Sequence, residues 1–152
     1  MSGNGAPQFD VTGEGLKVFI VASSWHTSIM DGLIAGARKE LARAGATDVT
    51  LWRVPGAFEL PLAAEQAIAK GAQVVIALGV VIQGETPHFD YVCDAATQGL
   101  TQVQINRQVP IGFGLLTVDT EQQALNRAGL PNSKEDKGAE AVQAALMMAR
   151  LS

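Results

Sequence analysis

The residues best suited to chemistry lie in a run from Gly79 to Asp90, GVVIQGETPHFD. Its first residues spell a buried strand. The segment after it, Gln83 to Asp90, reads as a loop carrying His88, one of only two histidines in the chain. An imidazole gives and takes protons near neutral pH, so a histidine at a strand end suits general acid–base work. A solvated or helix-capping histidine would fit the same place, and spacing alone does not choose between the two. Gly84, Glu85 and Thr86 offer amides and a hydroxyl ahead of a helix, a geometry that attracts anions. That signal is weak alone, because many loops contain such residues. Arg127 and Lys137 are candidate phosphate cations, against the commoner fate of charged side chains, which is solvation.

Three aromatic residues belong in the same discussion. Trp25 and Phe58 follow apolar segments and would be costly to leave in water without purpose. Flat faces stack on flat rings, although ordinary packing is the alternative for both. Phe113 lies inside an apolar stretch, and its spacing assigns it to the core. Glu59, beside Phe58, offers a carboxylate to ring nitrogens or, more plainly, to a helix N-terminus. His26, next to Trp25, is the weaker of the two histidines as a ligand contact.

The elements that must position these residues follow from periodicity. Leu16–Ala22, Val49–Val54, Gln73–Ile82 and Ile111–Val118 are apolar runs of strand length. Helical spacing starts at Ser28 and runs to a stop at Gly45. It returns over Ala57–Lys70, with Pro61 tolerable in the first turn, and over Tyr91–Asn106. Thr120 with Gln123 spells a capping box for a short helix reaching Ala128. Ser133 with Asp136 is a second candidate cap, before a helix that runs to the C-terminus. Strand and helix alternate four times, which predicts an α/β protein: a three-layer α/β/α sandwich around a four-stranded parallel sheet. Such folds bind ligands outside the carboxyl ends of the strands, where Ser24–Thr27, Pro55–Glu59, Gln83–Asp90 and Val118–Thr120 are placed. The 152 residues fit one domain, 1–152, with residues 1–14 as a flexible or docked arm.

Other chemistries find no support. There is no P-loop, no glycine-rich dinucleotide fingerprint after the first strand and no nucleophilic serine elbow. Two histidines and one cysteine, Cys93, make no metal-ligand pattern. The net charge is −4 with scattered basic residues, which argues against nucleic acid as the partner. No apolar run has the length of a membrane span. The single cysteine and the absence of a signal-like start point to the cytoplasm.

Several blocks are specific enough to name a family. VPGAFELPLAA from Val54, ALGVVIQGETPHFDYV from Ala77 and PIGFGLLTVDTEQQALNRAG from Pro110 resemble 6,7-dimethyl-8-ribityllumazine synthases. SSWHTSIMDGLIAGARKEL and EDKGAEAV also fit. The resemblance covers nearly the whole chain and implies a flavodoxin-like fold. It implies condensation of 5-amino-6-ribitylaminouracil with 3,4-dihydroxy-2-butanone 4-phosphate, with neither metal nor organic cofactor, at the penultimate step of riboflavin synthesis. His88 then matches the proton-transfer histidine. Trp25 matches the aromatic residue stacked on the pyrimidine, while Ala57, Phe58 and Glu59 match a segment that positions ribityl chain and ring. Val80, Val81 and Ile82 match a stretch whose backbone binds the uracil edge. Glu85 and Thr86 match the phosphate-binding turn. Phe113 and Arg127 match residues that reach the site from the neighbouring subunit, and Lys137 a lysine near the phosphate. Phe113 thereby moves from core to interface, and Arg127 from solvated charge to ligand.

The resemblance also implies a homo-oligomer with active sites between adjacent subunits, an arm able to pair with a neighbour's sheet, and riboflavin synthase as a candidate partner. Two departures stand out. The family pattern carries Arg where this chain has Gln83, which removes a positive charge near the phosphate turn. The link RAGLPNSKEDKG is two residues longer than the shell-formers' RAGTKAGNKG and contains Pro131. It favours pentamers, or pairs of pentamers as a decamer, over a full icosahedral shell. The alternatives are a lumazine- or flavin-binding scaffold without turnover, which Gln83 would suit, and a flavodoxin-like signalling module. The latter lacks its acidic cluster after the first strand, where Ser23, Ser24 and Trp25 stand.

Overall fold

A computed structural model describes residues 5–7 and 9–151. Lys17–Ser23 (β1), Asp48–Val54 (β2), Val74–Ile82 (β3) and Ile111–Val118 (β4) form one parallel sheet in the order β2-β1-β3-β4. The helices are Thr27–Arg43 (α1), Leu60–Ala69 (α2), His88–Arg107 (α3), Glu121–Leu125 (α4) and Lys137–Ala149 (α5), with a 3-10 turn at Ala57–Glu59 before α2.

Strand periodicity divides the core in two. Val18, Ile20 and Ala22 of β1, with Val74, Ile76, Leu78 and Val80 of β3, face α1 and α5. Phe19 and Val21, with Val75 and Ala77, face α2 and α3. This is the expected α/β/α sandwich. The two central strands are covered on both sides, which is why they are almost wholly apolar. The layer of α1 and α5 is closed by glycine: a Cβ on Gly138 would strike the carbonyl of Leu33, and one on Gly36 the carboxylate of Asp136.

Strand order makes the site. The chain steps from β1 outward to β2, then returns to the other side of β1 as β3. The connections leaving β1 and β3 therefore diverge, and a crevice opens between them. The pairing of β1 with β3 ends at Ala22–Leu78, while β3 continues to Ile82 against Val118 of β4. From Gly79 to Ile82 the edge of β3 that faces β1 thus has no strand beside it.

Several boundaries differ from the sequence reading. Helix α3 begins at His88, not Tyr91, so the proton-transfer candidate sits in the first helical turn rather than in a loop. Pro87 sets the entry with φ −69°, and Thr86 Oγ1 accepts from the His88 amide at 3.4 Å. The segment expected as one helix over Ala57–Lys70 opens with the 3-10 turn, closed by Glu59 Oε1 accepting from the Gly56 amide at 2.8 Å. Helix α4 stops at Leu125 rather than Ala128. Its capping box is present: Thr120 Oγ1 accepts from Gln123 N at 3.2 Å, and Gln123 Oε1 accepts from Thr120 N at 3.3 Å. Ser133 does not cap α5, because its hydroxyl bonds Leu125 and Leu130 instead. Asp136 does, accepting from Ala139 N at 3.0 Å.

Of the predicted arm, residues 1–4 and 8 lie outside the described residues. Residues 11–14 are docked: Gly13 N donates to Ala44 O at 2.8 Å, and Arg150 donates to the carbonyls of Thr12 and Glu14.

Candidate active site

The crevice between the β1 and β3 connections has a volume of about 620 Å³. Trp25 and His26 line it from the β1 connection, and Gly56, Ala57, Phe58 and Glu59 from the β2 connection. Val80, Val81 and Ile82 form its strand wall, with His88, Tyr91 and Val92 from α3 completing it. Trp25 is 68% exposed and Phe58 62%, so two large rings are held toward solvent at one opening. Trp25 is carried there by a backbone turn. His26 adopts the left-handed conformation (φ 61°, ψ 69°), unusual for a residue with a side chain, and starts α1 without a side-chain cap. One oxygen of Glu59 is committed to the turn that presents Phe58.

A second concavity, about 600 Å³, runs along the free edge of the sheet between β4 and α5. Phe113, Arg127, Lys137, Glu140 and Met148 are among its lining residues, and it shares none with the crevice. Phe113 is 48% exposed, which overturns the core position that spacing assigned it. The reason is topological. β4 is an edge strand, and its residues 113 and 117, on the same face as the buried Ile111 and Leu115, are left exposed there. Arg127 Nη1 donates to Gln123 O at 2.8 Å. Lys137 Nζ lies 3.1 Å from Glu140 Oε1 and 3.4 Å from Glu135 Oε2.

One protomer thus gathers Trp25, Ala57, Phe58, Glu59, Val80, Val81, Ile82 and His88 at one place and Phe113, Arg127 and Lys137 at another. Glu85 and Thr86 line neither. They stand exposed on the turn before α3, next to His88 in sequence. Sequence reasoning missed Tyr91 and Val92 as crevice residues. Starting α3 at His88 would have found them, since positions three and four apart share a helix face. It also missed Glu135 and Glu140. The spacing of Glu140 from Lys137 was the available signal.

Burial pushes the Cys93 thiol up, with Asp90 and Asp94 adding to it, so Cys93 is poorly suited to act as a thiolate. No group of metal-ligating side chains occurs among the described residues. Nor is any helix among them long and apolar enough to cross a membrane.

Fold and site together define a class: a flavodoxin-like α/β protein with an aromatic, histidine-bearing crevice at its topological switch point. Residues 15–152 match the family model of 6,7-dimethyl-8-ribityllumazine synthase. The chain is 65% identical to the 6,7-dimethyl-8-ribityllumazine synthase of Kineococcus radiotolerans over 146 residues, 96% of this chain and 91% of that one. It is 60% identical to the synthase of an Arthrobacter species over 155 residues, 98% and 96% of the two chains. The Streptomyces coelicolor synthase is 55% identical over 150 residues, 98% and 93%. The chain belongs to the 6,7-dimethyl-8-ribityllumazine synthase family, transferases of riboflavin biosynthesis.

Proposed function

We propose that the chain condenses 5-amino-6-(D-ribitylamino)uracil with 3,4-dihydroxy-2-butanone 4-phosphate to 6,7-dimethyl-8-ribityllumazine, as one domain over residues 1–152 and without a cofactor. The observation that carries this reading is the crevice itself. It combines two exposed rings, a strand edge with no strand beside it and an imidazole. Trp25 and Phe58 give the pyrimidine a stacking surface. The backbone of Val80, Val81 and Ile82 meets its polar edge. Ala57 and Glu59 take the ribityl side.

The pyrimidine's 5-amino group attacks the ketone carbonyl, and loss of water gives an imine. Elimination then expels inorganic phosphate, and the ribitylamino nitrogen closes the ring with loss of a second water. Each step relocates protons, and His88 moves them. Holding both substrates in line supplies up to about 7–11 kcal/mol in well-oriented systems. The phosphate is held by Glu85 and Thr86 of one copy, with Arg127 and Lys137 of the next.

The separation of the two lined surfaces supports a homo-oligomer in which the β4 edge of one copy closes the crevice of its neighbour. Such a head-to-tail contact closes into a ring where its rotation divides a full turn. The expected ring is a pentamer, alone or paired as a decamer. The long Pro131-containing link disfavours a full shell. The arm pairs with a neighbour's sheet, the enzyme works in the cytoplasm, and riboflavin synthase is its candidate protein partner.

Mixing both substrates with the purified oligomer should produce lumazine absorbance in step with phosphate release. A folded oligomer that binds the pyrimidine yet releases no phosphate would instead establish the scaffold reading. Light scattering gives the assembly, and a particle of shell size would overturn the pentamer assignment.

A further inference from the structure

Behind Arg127 and Lys137 stands a carboxylate with no place in the reaction above. Glu135 is mostly buried, with its side chain 10% exposed, and it does not line the concavity that Arg127, Lys137 and Glu140 line. Its Oε2 lies 3.4 Å from Lys137 Nζ and 4.0 Å from Arg127 Nε, so one atom addresses both cations. That atom is fully buried and accepts no hydrogen bond of normal geometry. Its interaction with the pair is therefore chiefly electrostatic. The backbone holds it in place: Glu135 N donates to Asn126 O at 2.9 Å, and Gly129 N donates to Glu135 O at 3.0 Å. With Glu140 on Lys137, two carboxylates face two cations, and the cluster is formally neutral.

We propose that Glu135 is a positioning residue and built-in counter-anion. It holds Arg127 and Lys137 in place in the empty site, and its charge limits how tightly they hold a phosphate group. This rests on the reading of those cations as phosphate ligands. Inorganic phosphate is both the leaving group and a product, so a fully positive pair would retain it. A charge fixed behind the pair weakens the grip without blocking entry.

The test measures binding of inorganic phosphate to the intact oligomer by calorimetry, together with steady-state kinetics. Glu135→Gln keeps the shape and removes the charge. Phosphate should bind about three- to tenfold more tightly, as one partly screened charge a few ångströms away produces. KM for the phosphorylated ketone should fall with it, while kcat does not rise and phosphate inhibits more strongly. Unchanged or weaker phosphate binding by folded Glu135→Gln would overturn the proposal. Glu135→Asn, equally uncharged, answers the same question should Glu135→Gln fail to fold. Arg127→Met is measured alongside. If it leaves phosphate binding unchanged, the phosphate reading of the concavity falls. If it weakens binding while Glu135→Gln changes nothing, only the role of Glu135 falls.

Discussion

The crevice at the strand ends and the concavity along β4 differ in how they are built. The crevice opens where the connections leaving β1 and β3 diverge beside the reversal of strand order, and residues of the β2 connection, of β3 and of α3 line it with them. The β4 concavity is a gap between an edge strand and one helix, with its charges on α5 and on the segment after α4. The first offers recognition of a flat ring and proton transfer without a fixed positive charge among its lining residues. The second offers cations and an exposed phenyl ring without a histidine among its lining residues. Each lacks what the other supplies, which is why the proposed reaction draws on two copies.

Experiments that break this division come first. His88→Ala should lower kcat by about 10²–10⁴-fold without abolishing turnover, since orientation survives the loss of the shuttle. Arg127→Met should act chiefly through KM for the phosphorylated ketone. Co-assembling the two variants should return a substantial share of wild-type rate, because some interfaces then join two intact surfaces. Mixed oligomers no faster than their parents would place both residues in one protomer's site. Next in size, Trp25→Ala should weaken pyrimidine binding by about tenfold while phosphate binding stays level. Equal loss at both ligands, measured by calorimetry, would mean the surfaces are not independent.

A fourth variant acts on the packing behind one wall of the β4 concavity rather than on a lining side chain. Gly138→Ala forces α5 away from α1 and should cost about 1–3 kcal/mol of stability, read in thermal unfolding. The smallest effect is expected at Gln83, whose exposed side chain precedes the phosphate turn. Gln83→Arg should tighten the ketone phosphate by about two- to fivefold at low salt, as an exposed charge does, and less at high salt. No change at either salt would make the charge dispensable.

Much of this was legible in the residues. Apolar runs of strand length alternating with helical spacing predict the sandwich, because both faces of a parallel sheet must be covered. The crevice side of the site followed from the strand-end rule together with the family blocks. The failures share a cause, namely information that lies outside the local pattern. Phe113 reads as core because IGFGLLTV is apolar throughout, and only the strand order reveals that β4 is an edge. His88 reads as loop because Pro87 precedes it, yet a proline at a helix entrance is compatible with helix directly after it. Ser133 with Asp136 reads as a cap, but the hydroxyl of Ser133 is taken by Leu125 and Leu130 in the turn between α4 and α5. Glu135 stands two residues before Lys137, but only the fold brings it to Arg127, eight residues earlier, so its place between both cations is not written in the local pattern.

The bonds from Arg150 to Thr12 and Glu14 tie the end of α5 to the segment that leads into β1, at the amino side of the sheet. The imidazole opens at the opposite rim. A peptide or protein appended after Arg150 therefore departs from the side of each protomer remote from the chemistry. This face, where the last helix meets the segment leading into β1, is the natural place to attach cargo to an otherwise unaltered catalyst.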